Sequence, residues 1–283
     1  MELPRDFVRA AGPDVATFLQ GQLSQDVVGL AVGASTWALL LQPQGKMVAL
    51  LRVLRVADEE IVLETDAGFG PEVVERLNRF KLRVKCDLEP LAWTCLAVRG
   101  PASHQAVAGA DPAAGIVVSA DWPGLAGADL VGESPRVPDG VARCSLDAYE
   151  AVRIEAGLPV MGRELDEGTI PAEAGVVDRS VSFTKGCYTG QELVARIDSR
   201  GGNVPRRLRG VILGDSAAPP VGANVAAGGK EVGRLTSVAF SPRVGATVAL
   251  AFVRRAVEPP AEVVVEWEGG SSPASVEALP LVP

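Results

Sequence analysis

Residues 185–192 read Lys185-Gly186-Cys187-Tyr188-Thr189-Gly190-Gln191-Glu192, and the rest of the chain takes its place around them. Gly186 and Gly190 allow the sharp backbone turns of a loop. The apolar spacing from Gln191 to Ile197 is that of a helix, so the loop feeds directly into a helix start. Cys187 stands just ahead of the free N–H groups of that helix. Those groups and the neighbouring Lys185 favour a thiolate, the form that attacks electrophiles and oxidants and binds metals. An arbitrary free cysteine is more often a small core residue; the glycine and lysine flanks favour a functional thiol here.

Upstream, Gly12-Pro13-Asp14 starts an amphipathic helix carrying Val15, Phe18, Leu19 and Leu23 and ending near Asp26. Apolar β-rich runs at 35–42 and 47–56 are joined by Pro43-Gln44-Gly45, which suits a hairpin turn. A strand at 61–64, a helix at 71–80 and a strand at 91–98 complete a mixed α and β lobe. Residues 109–140, rich in Ala, Gly, Asp and Pro, predict short strands and loops. Ser145 caps a helix that runs to Gly157 and places Glu155 in its last turn. Downstream, short strands at 208–213, 223–225, 231–240, 247–253, 262–267 and 276–279 are punctuated by Gly228-Gly229 and Gly269-Gly270. They predict an antiparallel barrel or sandwich as a separate C-terminal domain.

Composition narrows the function classes. With 47% apolar and 22% charged residues the chain is an ordinary globular protein, and its 283 residues suit two or three lobes. A net charge of -8 repels nucleic-acid phosphate and anionic membranes, so a polyanionic partner needs a local basic patch. Neither a signal-peptide pattern at the start nor an eighteen-residue apolar run is seen, and the expectation is a cytoplasmic protein with no membrane contact. Cys86, Cys95, Cys144 and Cys187 form no C-x-x-C pair, which argues against a disulfide framework or a zinc site, and no metal is expected. One histidine, His104, in a helix-start segment, leaves no room for a serine–histidine triad or a multi-histidine metal centre.

The octapeptide resembles the signature of the YgfZ-type folate-binding family, which is related to the glycine-cleavage aminomethyltransferases. The stretch 18–27, Phe-Leu-Gln-Gly-Gln-Leu-Ser-Gln-Asp-Val, resembles the family's first helix and turn. Gln42-Pro43-Gln44-Gly45-Lys46-Met47 resembles its hairpin, and Arg153-Ile154-Glu155-Ala156-Gly157 its helix-end motif. Residues 201–210, with Asn203 and Arg206-Arg207-Leu208, resemble its approach to the barrel. The resemblance implies an α+β fold: two mixed lobes over 1–203, meeting somewhere near 100–145, and a C-terminal antiparallel β-barrel over 204–283, all around a central opening. That opening would hold tetrahydrofolate or a one-carbon derivative of it. Glu155 would accept hydrogen bonds from the pterin edge, a task that suits a carboxylate. Asp26, Gln22, Tyr188, Gln191 and Arg196 are further candidates for folate contact. Cys187 and Lys185 are the candidates for chemistry, framed by Gly186, Gly190 and Glu192. Asp26 is equally readable as a turn residue, and Tyr188 as packing.

One departure bears on activity. The aminomethyltransferases carry paired aspartates on the strand after the hairpin glycine, whereas aligning Gly45 puts Ala49 and Leu50 there. Neither side chain can take a proton or stabilise a cation. The reading that follows is a monomeric folate-binding protein that supports assembly or repair of iron–sulfur clusters, with client proteins or assembly machinery as partners. Two alternatives stand beside it. One is a folate-dependent aminomethyl transferase that uses other residues. The other is an RNA-binding module associated with transfer-RNA modification, making a weak contact through the arginines at 196, 200, 206, 207 and 209.

Overall fold

The structure, a computed structural model, describes residues 1–110, 115–214 and 218–282. Two strands, β1 (Glu2–Leu3) and β2 (Arg5–Ala11), open the chain and lead to α1 (Val15–Gln22). The hairpin β3 (Ser35–Leu41) and β4 (Met47–Ala57) follows, then β5 (Glu60–Asp66), α2 (Gly70–Arg79) and β6 (Asp87–Leu91). β7 (Thr94–Arg99), the short α3 (Ser103–Val107), β8 (Ile116–Ser119) and β9 (Gly127–Gly132) belong to a second lobe. After it come α4 (Leu146–Glu155), the single turn α5 (Val177–Ser180) and α6 (Gln191–Ser199). The chain ends in β10 (Arg206–Leu213), β11 (Asn224–Ala227), β12 (Lys230–Ser241), β13 (Ala246–Arg254), β14 (Ala261–Trp267) and β15 (Gly270–Glu277).

These elements build three antiparallel units. One sheet runs β3-β4-β5-β2-β6, a second β1-β7-β9-β8, and a closed barrel runs β10-β13-β12-β11-β14-β15. Two α/β lobes plus a C-terminal barrel is the architecture the sequence implied. β2 is covered on both faces: Phe7 packs toward the second lobe, and Val8 and Ala10 toward α1 and α2. One face of the first sheet packs on α1 and α2 through Val8, Leu40, Ala49, Leu51, Leu19 and Leu77. Its other face, with Leu39, Leu41, Met47 and Leu50, meets Ile154, Tyr188, Val194 and the barrel residues Leu250 and Phe252. Ala49 and Leu50 thus point to opposite sides of β4.

Three details differ from expectation. The first helix stops at Gln22 rather than near Asp26, because Leu23 is already extended and bridges to Leu40. The final strand lies at Gly270–Glu277, upstream of 276–279, where Ser271, Ser272 and Pro273 hide the alternation. β1, β2 and β6 were not expected, yet β2 is an inner strand paired with both β5 and β6.

A run of buried ion pairs ties the two sheets together. Arg52 on β4, only 2% exposed, donates to Glu64 on β5 and to Asp129 on β9, the latter at 2.6 Å. Arg99 reaches the other oxygen of Asp129 at 2.7 Å, and Arg5 pairs with both Glu64 and Asp66. Burial alone would raise the pKa of Asp129; Arg52 and Arg99 outweigh it and hold the carboxyl below its ordinary value.

Candidate functional site

The signature loop is fastened to the end of α1 and to the β3–β4 turn. The ammonium of Lys185 donates to the carbonyls of Gln20 and Leu23, each at 2.6 Å, and of Gln25 at 3.1 Å. All three of its donors are therefore committed. Burial draws its pKa down to about 8, with Asp26 opposing. Ser182 N bonds Ser24 O at 3.0 Å, and Thr189 N bonds Gly21 O at 3.1 Å. Gly190, at φ 86°, sits against Gln42 O and the Cα of Gly45, itself at φ 80°. A side chain on either glycine would collide with the other motif, which is why both motifs carry one there. Tyr188 is buried in the core with its pKa pushed up to about 12 by that burial, while Cys187 is exposed. Gln191 Oε1 accepts from Tyr188 N and closes the turn ahead of α6; Glu192 and Arg196 are exposed on that helix.

The expected activation of Cys187 by Lys185 is corrected by this geometry. The lysine anchors the loop instead, because three carbonyls at the end of α1 are stronger partners than an exposed sulfur. Gln22 accepts from Arg76 at 3.3 Å and from Thr189 at 3.5 Å. Asp26 is exposed and accepts from Gln20 Nε2 and Gly29 N, which makes it the turn residue of the two readings.

A cleft opens between the first sheet, α4 and α5, lined by Arg5, Trp37, Leu50, Asp66, Trp122, Tyr149, Arg153, Leu158, Pro159, Val160 and Arg179. The cleft is narrow, with a cavity volume of about 30 Å³. Arg153, from the helix-end motif, is locked in place: it donates to Glu150 at 3.0 Å, Leu158 O at 2.5 Å, Glu164 at 3.4 Å and Ser237 of the barrel at 2.6 Å. Glu155 does not line this cleft. It is buried, its Oε1 accepts from Ser241 at 2.5 Å, and its Oε2 makes no hydrogen bond among the described residues. Cys187 does not line the cleft either.

Two descriptions of one family match the chain: the GCVT N-terminal domain over residues 7–116 and the glycine cleavage T-protein C-terminal barrel domain over residues 206–283. The chain belongs to the GCVT family. An aminomethyltransferase of Streptomyces avermitilis is 28% identical over 96% of this chain and 83% of its own length. An uncharacterized protein of Haemophilus influenzae is 30% identical over 69% of this chain and 67% of its own. The crystal structure of the glycine cleavage system aminomethyltransferase T from Bartonella henselae superposes with a TM-score of 0.83 at 22% identity, covering 99% of this chain and 85% of that one. It shares the fold.

Against this GCVT-family frame, Leu50 lines the cleft at one of the two positions where the resemblance expects a carboxylate, while Ala49 is buried in the opposite core. Of the arginines ahead of the barrel, Arg206 is paired with Glu173 at 3.0 Å and lies over the Phe252 ring. Arg207 donates to Gly202 O at 2.7 Å and lines a separate 130 Å³ cavity beside α6. Burial, with Arg207 nearby, lowers the pKa of Arg209. Sequence reasoning passed over Trp37 and Arg179, which face the cleft from β3 and α5. The available signal was Asp178-Arg179-Ser180, a polar break just before the signature loop.

Proposed function

We propose that this GCVT-family member is a tetrahydrofolate-binding protein of the YgfZ type that supports assembly or repair of iron–sulfur clusters in client enzymes, with Cys187 as its functional thiol. The observation that carries the reading is a division of labour. A firmly anchored loop presents an exposed thiol, while the cleft has an apolar side chain, Leu50, where transfer chemistry needs a carboxylate. The cleft suits folate in its donor chemistry: Trp37 Nε1 and Arg179 Nε are buried without partners among the described residues, and orphaned donors of this kind call for an acceptor such as a folate provides. Arg179, Trp37 and Tyr149 would hold the folate there. When bound, tetrahydrofolate supplies nitrogens that carry one-carbon units.

Replacing Cys187 with Ala should leave the calorimetric affinity for tetrahydrofolate within about two-fold and abolish recovery of iron–sulfur enzyme activity in cells lacking the protein. Full recovery by that variant removes the thiol from the account. The named relatives favour a second reading, aminomethyl transfer. Steady-state product formation from glycine-cleavage intermediates and tetrahydrofolate would establish it in place of the first. The weak transfer-RNA contact is the least supported reading, since Arg206 and Arg207 already have protein partners.

A further inference from the structure

Three arginines line the central cleft, and two are neutralised by neighbours: Arg5 by Glu64 and Asp66, and Arg153 by Glu150 and Glu164. Asp66, the cleft's own carboxylate, is spent on Arg5 and on Met161 N at 2.9 Å. Arg179 has neither a hydrogen bond nor an ion pair among the described residues, and Asp121 acts on it only from a distance. Its guanidinium lies 5.3 Å from the ring centre of Trp37, and both Arg179 Nε and Trp37 Nε1 are buried donors without acceptors. Trp37 is flanked by a second guanidinium, Arg52, at 5.7 Å. Burial draws the pKa of Arg179 down to about 10, which leaves it cationic at neutral pH.

The charge of this end of the cleft is therefore positive and its unmet need is for acceptors. A one-carbon group at the aminomethyl level passes through a cationic iminium, which would meet a guanidinium and Leu50 with no carboxylate free to offset the charge. A carbonyl oxygen would meet donors instead. From this we infer that Arg179, with Trp37, forms an oxygen-acceptor subsite in the cleft and selects a one-carbon group at the formyl level over one at the aminomethyl level. The inference rests on the folate reading above and names the form that the cleft prefers.

Calorimetric titration of the full chain with 5-formyltetrahydrofolate and with 5,10-methylenetetrahydrofolate, the form at the aminomethyl oxidation level, tests it. The expected result is a preference of ten-fold or more for the formyl form. In Arg179→Met the ratio should fall to about one, and Arg179→Lys should restore part of it, with melting temperatures confirming that both variants fold. Equal affinities in the wild-type chain, or a preference that survives Arg179→Met, overturn the subsite while leaving folate binding in place. If neither pterin binds, the folate reading falls. Sodium formate, followed by tryptophan fluorescence, then judges the subsite by itself: saturation that depends on Arg179 keeps it, and no saturation rejects it.

Discussion

Lys185 shows how a residue two places from an exposed thiol can serve the backbone. Its three hydrogen bonds satisfy carbonyls of Gln20, Leu23 and Gln25 at and just beyond the end of α1, a place where helices leave acceptors unmet. Lys185→Met keeps much of the stem's bulk and removes every donor. Leaving such acceptors poorly satisfied costs about 2–3 kcal/mol, so chemical denaturation should show a loss of that size with little change in the denaturant slope. A loss below about 0.5 kcal/mol would mean that water replaces the ammonium freely. Glu155 makes a complementary prediction, because it lies outside the cleft. Glu155→Gln keeps a carbonyl oxygen for Ser241, the partner of Oε1. Tetrahydrofolate affinity should therefore stay within about two-fold of the wild-type value. A ten-fold loss would return Glu155 to the site.

At the level of elements, α4 is the helix whose beginning and end carry separate tasks. Ser145 accepts from Ala148 N at 3.2 Å, so Ser145→Ala should lower stability by about 1 kcal/mol, read as a shift of the denaturation midpoint. Both this cap and the hairpin around Gly45 were legible from local chemistry, because a capping serine and a glycine at positive φ act within a few residues of themselves. β2 was not legible in the same way. Arg5, Asp6 and Arg9 look like surface charges in a linear reading, and only the pairing across β5 and β6 gives Arg5 its carboxylates and Arg9 its partners Glu60 and Glu89. The site followed the same rule. The exposed loop position of Cys187 was legible from its flanking glycines, whereas Arg179 became a cleft residue only when β3, β4 and α5 were brought together. Nothing local in the sequence distinguishes a paired arginine from an orphaned one.

At the scale of the whole molecule, the two lobes are tied by the ion-pair run Asp66–Arg5–Glu64–Arg52–Asp129–Arg99, which crosses from the first sheet to the second and ends beside the cleft at Asp66. Asp129 is its hinge, since it alone in this run bonds arginines from both lobes. Its folded pKa lies below the ordinary 3.8, so the folded state binds fewer protons than the unfolded chain near that pH. The stability it contributes is complete above the unfolded value and disappears as pH falls through the folded one. Asp129→Asn keeps the shape and removes the charge, leaving Arg52 with Glu64 alone and Arg99 without a carboxylate. Breaking a buried pair from one side costs about 3–5 kcal/mol. At pH 7 the variant should be destabilised by that amount, and the gap to the wild-type chain should close as the pH falls below 3.8, because protonated Asp129 then offers no more than the amide does. Urea titrations of both chains at neutral pH and at successively lower pH measure the gap directly. A gap that stays constant down to acid unfolding would show that Asp129 acts through shape rather than charge, and the two lobes would then owe their alignment to the apolar contacts of Phe7, Leu54, Val62 and Val131.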